Sequence, residues 1–289
     1  MKIKGYTIEP GVNLEAADLA NVNLAGADLT GALLGGAILY GTLLTKATLA
    51  RADLTGALLD RATLSRADLT GACLQGADLV EADLREANLA GANLTEADLQ
   101  GANLTNADLQ GANLTNADLT RSTLVEADLT GANLINSDEY VETSRWKSLV
   151  EANLTGANLR RANLNYANLA GGQFPGANFT GANLEGAHLF KTNIRRANFT
   201  GVNLEGANLS HAAIEGADFR DAWIGDANFL GAFVHHEPVS FEGAIANETT
   251  VFPPRYPGGL DPGEVPPGVI FASERPPGYP TWDVPLGAH

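Results

Sequence analysis

The chain has 289 residues and carries 34 acidic against 18 basic side chains, which gives a net charge of −16. This excess of acidic residues excludes direct binding to nucleic-acid phosphates, because such binding depends on clustered Lys and Arg. Hydrophobic residues make up 45% of the chain, enough for a buried core, and the single cysteine, Cys73, excludes an internal disulfide framework.

The first segment, 1–11, is not repetitive and contains Ile3, Tyr6, Ile8 and Pro10. The residues that follow form a repeat, described below, that predicts a solenoid. Because the open end of a solenoid must be covered, we expect the segment 1–11 to be an N-terminal cap. It has no apolar run of the length a signal peptide needs, and no window of the chain approaches about 20 uninterrupted apolar residues. We therefore expect a cytoplasmic protein with no membrane association.

A five-residue repeat follows the cap and dominates the chain. Leu stands at every fifth position from Leu14 to Leu134, and the register resumes at Leu149 and continues to Val234 with Phe or Ile at several positions. A small residue, mostly Ala, stands two places before the central residue, with Lys147 before Leu149 as the one real exception, and the residue directly before the central one is usually Asp or Asn. Residues 127–131 show the unit as Ala-Asp-Leu-Thr-Gly. We term the position directly before the central Leu or Phe the outward slot.

A period of five matches neither the 3.6 residues of a helical turn nor the alternation of a long strand. A short extended piece followed by a turn does fit it, and four such units close one square coil. Coils of this kind stack at the inter-strand spacing of about 4.8 Å, with Leu toward the axis and Ala in the tight space beside it. The pattern predicts a solenoid of about 11 four-sided coils, on the order of 50 Å long.

This pattern resembles the pentapeptide repeat family of bacteria and cyanobacteria over roughly residues 12–236, in the small residue, the Asp or Asn and the central Leu or Phe. The resemblance implies an all-β fold, the right-handed quadrilateral parallel β-helix. It also implies a role in protein interaction. Some members, the quinolone-resistance and topoisomerase-poison-immunity proteins, are acidic rods that occupy the DNA-binding surface of gyrase, so the resemblance includes DNA mimicry as a further role.

The repeat is interrupted between Leu134 and Leu149 by a stretch that contains no unit. Insertions in repeat proteins usually emerge as loops, so we expect this stretch to leave the coil at a corner. Tyr140, Arg145 and Trp146 belong to residue types that anchor interfaces, which makes them candidates for partner binding. In the alternative interpretation, Trp146 only folds back to shield the loop.

Stacking by four units predicts two acidic columns in the outward slot. Asp78, Asp98 and Asp118 fall in one column, and Asp68, Asp108 and Asp128 fall in the opposite one, interrupted by Asn88. One interpretation is that these short side chains bond the local backbone at the corners, where Asn serves equally well. The other is that the first column contacts a partner.

The segment 253–289 holds ten of the thirteen prolines. Proline lacks an N–H donor and fixes φ, so we expect this tail not to continue the β-helix. It either lies along the rod with its rings over the terminal coil or forms a polyproline II docking segment, for which Trp282 is a candidate contact.

The predicted organisation is a cap (1–11), a β-helix (12–136), an inserted loop (137–148), a continued β-helix with its C-terminal cap (149–252) and a Pro/Gly-rich tail (253–289). No catalytic constellation, metal-ligand spacing or cofactor motif stands out, so we expect no enzyme, no cofactor and no metal. An ice-binding surface is disfavoured because the Thr array around Thr95 and Thr115 is short.

The leading functional hypothesis is an acidic rod that presents its loop and tail to an unidentified protein partner. The alternative is a DNA-mimic modulator or protector of a type II topoisomerase such as gyrase. The oligomeric state stays open.

Overall fold

The structure is a computed structural model that describes residues 2–135, 148–234, 237–252 and 265–272. The described residues form an all-β chain without a helix. Their main feature is a ladder of parallel bridges, in which a single residue of one coil pairs with a single residue of the next. No segment among the described residues is a helix long and apolar enough to cross a membrane.

Two short strand pairs stand at the ends of this ladder. β1 (Lys2–Ile3) pairs antiparallel with β2 (Tyr6–Thr7), with Lys2 opposite Thr7 and Ile3 opposite Tyr6. β3 (Ile245–Ala246) pairs in parallel with β4 (Ile270–Phe271), with Ile245 opposite Ile270 and Ala246 opposite Phe271. The hairpin is followed by Ile8, which is buried and belongs to the core cluster at the N-terminal end of the ladder.

The bridges pair each outward slot with the slot four units later. Asp78 pairs with Asp98 and Asp98 with Asp118, while the three intervening slots of each coil form their own columns. Four units therefore make one coil, and each coil forms one rung of four parallel sheets.

Each side of the coil ends in a tight turn directly after the central Leu. In the unit containing Leu54, the carbonyl of Leu54 accepts the N–H of Ala57 at 2.9 Å, and Gly56 between them has φ of 62°. A positive φ at the third residue is characteristic of a type II turn, which explains the frequent Gly. Non-glycine residues also take this conformation, as Arg51 does with φ of 56°.

The Leu, Phe and Ala positions fill the interior of the coil. The central Leu residues from Leu19 to Leu129 are at most 1% exposed, and the Ala positions beside them are almost as deeply buried. In the C-terminal half, Phe replaces Leu in one column, and the stacked rings of that column have centroid distances of 4.6 to 5.0 Å. Its members are Phe179, Phe199, Phe219 and Phe241.

The ladder continues across the inserted segment with a longer offset in sequence. Asp108 pairs with Asp128, whereas Asp128 pairs with Asn158 and Asn133 with Asn163. The N–H of Leu119 donates to the carbonyl of Ser148 at 2.7 Å, so Ser148 takes the place directly above Asp118. The insertion therefore has the length of two units, and the coils on either side of it stay in contact.

The tail adds one strand to one side of the solenoid, contrary to the expectation from its proline content. The N–H of Ile270 donates to the carbonyl of Ala244 at 2.8 Å, and the N–H of Ala272 donates to that of Ala246 at 2.9 Å. The prediction that the tail does not continue the β-helix is therefore wrong for residues 270–272. Pro266 and Pro267 lie before this strand, and the N–H groups that pair it with β3 belong to residues after both prolines.

Gly172 stands where most units have Ala, and its neighbour explains the difference. A Cβ added to Gly172 would lie 2.5 Å from Cε2 and 2.8 Å from Cζ of the buried Phe174 ring. We expect Gly172→Ala to lower the free energy of unfolding by about 1–3 kcal/mol, because a fully buried ring cannot move aside without displacing its neighbours. Thermal and urea denaturation measure this loss.

Gly35→Ala is the matched control for this substitution. A Cβ there would have its nearest contact at 3.8 Å, to the carbonyl oxygen of Thr55, so we expect little change in stability. If both variants have the same free energy of unfolding as the wild-type protein, the core tolerates a methyl group between Gly172 and the Phe174 ring, and the prediction fails.

Candidate functional site

The outward slot supplies a hydrogen bond that the backbone of the coil lacks. In the unit that begins at Asp53, the N–H groups of Asp53, Leu54 and Gly56 donate to neighbouring coils, and that of Ala57 donates within the turn. The remaining donor is the N–H of Thr55, which bonds Oδ1 of Asp53 at 3.0 Å. One side-chain oxygen therefore completes the donor set of the five-residue unit.

Asp and Asn serve this bond equally. Oδ1 of Asn93 accepts the N–H of Thr95 at 3.2 Å, and Oδ1 of Asn178 accepts that of Thr180 at 3.1 Å. The sequence nevertheless divides the two residues along the rod, because Asp is frequent in the slots from 53 to 128 and absent from those between 153 and 208. The fold does not require this charge.

The first predicted acidic column forms a straight line on one sheet, which we term the Asp98 face. Asp78, Asp98 and Asp118 are bridged in sequence, and Oδ1 of each accepts the N–H two residues on, at 3.0 to 3.1 Å. Asp78 and Asp98 are half-buried, whereas Asp118 is only 9% exposed. The face therefore offers two partly accessible carboxylates, and the third is buried.

The opposite sheet, which we term the Asp108 face, carries the second column in the predicted order. Asp68, Asn88, Asp108 and Asp128 are bridged in sequence, and all four are half-buried. Each also accepts the N–H two residues further on. The hydrogen bonds in both columns agree with the interpretation that these short side chains bond the local backbone at the corners. The carboxylate charge that stays accessible is available for contact with a partner.

Several glutamates at the corners are paired with arginines of the neighbouring coil. Three such pairs have N–O distances of 2.8 to 2.9 Å, and the third of them spans the insertion: Arg61 with Glu81, Arg66 with Glu86, and Arg121 with Glu151. The hydrogen bond from Arg66 lowers the pKa of Glu86. Exposed pairs of this kind contribute little stability, but they cancel acidic charge at the corners.

Hydrophobic side chains occupy the outward slot near the N-terminal end, which the sequence analysis overlooked. Leu33, Ile38, Leu43 and Leu58 are all exposed there, and Ile38 and Leu58 lie on the Asp98 face directly below Asp78. The signal was present in the sequence as four large apolar residues among the outward slots of six consecutive units.

The remaining predicted contacts, Tyr140, Arg145, Trp146 and Trp282, lie outside the described residues. Within the described residues, no group of His, Cys, Asp and Glu is placed to hold a metal ion. The concavities there include two open clefts at the ends of the rod, one beside Pro10 and one beside Pro238.

Comparison with known proteins identifies the repeat. A family model described as pentapeptide repeats matches in eight copies, over 11–49, 37–76, 47–85, 102–138, 148–181 and 182–221. No curated protein matches the chain.

Among solved structures, the chain is similar to HetL, a pentapeptide repeat protein involved in heterocyst differentiation regulation in the cyanobacterium Nostoc sp. strain PCC 7120. The identity is 36% over 75% of this chain and 89% of HetL, with a TM-score of 0.45. It is also similar to QnrB1, a plasmid-mediated fluoroquinolone resistance protein, at 20% identity over 71% of this chain and 91% of that one, with a TM-score of 0.46.

Substitution of Asp53 separates the hydrogen bond of the slot from its charge. Asp53→Asn keeps an oxygen for the N–H of Thr55, whereas Asp53→Ala removes it. At neutral pH we expect Asp53→Ala to cost about 1 kcal/mol of unfolding free energy relative to Asp53→Asn. Equal stability of the two variants in urea denaturation would contradict a structural role for the slot oxygen.

The same position predicts a dependence on pH. The hydroxyl of Thr55, and then its N–H, lower the pKa of Asp53 in the folded protein. A lowered pKa contributes stability above the unfolded value of about 3.9, and this contribution disappears as the pH falls through the folded value. On acidification from neutral pH we therefore expect the wild-type protein to lose more stability than Asp53→Asn, measured by denaturation at matched pH values.

Proposed function

We propose that this chain, which belongs to the pentapeptide repeat family, is a non-enzymatic interaction module. It acts as a rigid acidic rod whose faces, inserted segment and tail contact a protein partner. A fold alone does not specify a partner, so the proposal depends on features of this chain that the fold does not require.

The observation that carries the proposal is the distribution of charge in the outward slot. Asn makes the same turn hydrogen bond as Asp, yet the slots from 53 to 128 are rich in Asp and those from 153 to 208 have none. An acidic surface concentrated in one part of the rod attracts a basic partner and orients its approach. The negative charge is therefore best explained by a basic surface on the partner.

The continuity of the ladder supports a second element of the proposal. Because coils below and above the insertion remain bridged, Ile135 and Ser148 hold the ends of the inserted segment on a rigid support. A fixed attachment lowers the ordering cost of binding. We assign Tyr140, Arg145 and Trp146 to partner contact from this segment, and Trp282 from the tail.

Replacement of Tyr140, Arg145 and Trp146 by Ala tests the inserted segment. We expect the triple variant to lose the partner that co-purifies with the wild-type chain, measured by affinity capture and quantitative mass spectrometry. The control is Gly35→Ala, which leaves the segment intact. Full retention of every partner by the triple variant removes the inserted segment from the proposal.

A second candidate function is DNA mimicry toward a type II topoisomerase such as gyrase, and the two straight acidic columns favour it. The burial of Asp118 and the paired corner glutamates weaken the field that such a mimic needs. The two columns allow a sharp test, because Asn at each position preserves the turn hydrogen bond and the fold.

The test compares two variants with the same change in charge in a gyrase supercoiling assay at two salt concentrations. One carries Asp78→Asn, Asp98→Asn and Asp118→Asn, and its control carries Asp68→Asn, Asp108→Asn and Asp128→Asn. If the chain mimics DNA through the Asp98 face, its inhibition of gyrase weakens as the salt concentration rises. The first variant then inhibits less than its control. Absence of inhibition by the wild-type chain at any soluble concentration ends this candidate for gyrase.

A further inference from the structure

The N-terminal coils place large apolar side chains where the fold calls for a polar one. Leu33, Ile38, Leu43 and Leu58 occupy outward slots with exposures of 40, 38, 44 and 43%. Tyr40, at the corner beside Ile38, is 36% exposed. Ile38 and Leu58 are neighbours on one sheet, whereas Leu33 and Leu43 lie on the two adjacent sheets. Exposed apolar side chains that are contiguous on a surface mark interaction sites.

These side chains give up a hydrogen bond without gaining burial. Asp53, in a neighbouring slot, accepts the N–H of Thr55, whereas Leu and Ile have no oxygen to offer the corresponding donor. Asn in the same slot would supply this bond and expose no apolar surface. The apolar residues are therefore not explained by the stability of the coil.

On the Asp98 face these residues continue into the acidic column. Ile38, Leu58, Asp78 and Asp98 are bridged one above the other, so their side chains form a single line of two apolar and two acidic groups. We term these four residues the mixed column. Beside Ile38, Leu58 and Asp78 the corner on one side is flat, because its glycines have open space beyond their Cα atoms; they are Gly36, Gly56 and Gly76. Beside Asp98 the corner carries the exposed Glu96.

We propose that the mixed column binds a cationic amphipathic α-helix of a protein partner, with apolar side chains on Ile38 and Leu58 and basic ones on Asp78 and Asp98. This inference rests on the proposed interaction function and names the chemistry of the partner. Its recognition mode is that of an amphipathic helix laid on an apolar surface, with charges that fix the register.

The spacing of the column suits one helical turn per rung. Rungs repeat at about 4.8 Å and helical turns at about 5.4 Å, so over three steps the mismatch is about 2 Å. Flexible Lys or Arg side chains absorb a difference of this size. The matching helix carries apolar residues at i and i+4 and basic residues at i+7 and i+11.

Charge argues against a second copy of this chain as the occupant. Parallel packing of two mixed columns would bring Asp78 and Asp98 of one copy against the same residues of the other. Antiparallel packing about Ile38 and Leu58 would bring Asp78 against Asp18, which Lys4 pairs at 3.0 Å. Like charges placed opposite each other are destabilising. The same carboxylates repel an anionic membrane surface.

The test uses the full chain and a labelled probe peptide with Leu at i and i+4, Lys at i+7 and i+11, and Ala and Gln elsewhere. Fluorescence anisotropy compares it with a scrambled peptide of the same composition. We expect the patterned peptide to bind about tenfold more tightly, which corresponds to the loss of about one buried apolar contact in the scramble. Equal binding of both peptides overturns the inference and leaves only general attraction of cations.

Two double variants separate the apolar and acidic parts of the mixed column. Ile38→Asn with Leu58→Asn places in each slot a residue that the fold uses elsewhere, so it should unfold no earlier than wild type and should lose the preference for the patterned peptide. Asp78→Asn with Asp98→Asn should weaken binding and flatten its salt dependence. The matched control, Asp68→Asn with Asp108→Asn on the opposite face, should keep the preference.

Two further results would overturn the inference. One is wild-type affinity for the patterned peptide in the Ile38→Asn, Leu58→Asn variant. The other is a wild-type dimer, seen by sedimentation equilibrium, that the same variant converts to a monomer, because the column would then join two copies. Neither result contradicts the proposed interaction function if the wild-type chain still captures its native partner. A wild-type chain that captures no partner contradicts that function itself.

Discussion

One hydrogen bond in each unit makes the square coil possible. Four of the five backbone donors in a unit find carbonyls in the adjacent coils or in the turn, and the fifth needs an oxygen from the side chain two residues earlier, as Thr55 finds in Asp53. A buried or half-buried donor without a partner is costly, so most corners of the rod draw on a short polar side chain. The Asp or Asn of the repeat is therefore a structural requirement, and the partner contact proposed above uses the carboxylate charge that this requirement leaves accessible.

The choice between Asp and Asn is free, and this separates fold from charge. Both residues present Oδ1 in the same geometry, as Asp78 and Asn93 do, so the sequence can set the electrostatic surface without altering the coil. The corner ion pairs act in the opposite direction, since arginines such as Arg61 cancel glutamates of the next coil. What remains is a moderate negative field on flat faces, which suits selective attraction of a basic protein surface better than imitation of a uniformly charged duplex.

Much of the architecture was predictable because a strict period leaves few geometries. The five-residue spacing and the buried Leu positions predict the coil, and stacking by four units predicts the columns of Asp98 and Asp108, which the bridges confirm. The rung at Ile270 was not predictable, because no repeat marks it and its prolines indicate the opposite. The burial of Asp118 was equally hidden, since the slot pattern treats it like Asp98.

The departures from the repeat carry more functional information than the repeat itself. A unit with Asp or Asn in the outward slot indicates only that the N–H two residues later has its acceptor. Ile38 and Leu58 offer no such acceptor, and they remain exposed. Because both lie in the same column as Asp78, the flat sheet brings residues that are far apart in sequence into one contiguous line in space. A helical partner can engage that line only if it matches both its apolar and its acidic parts, so specificity arises from the order of residues along the column and not from the net charge of the rod.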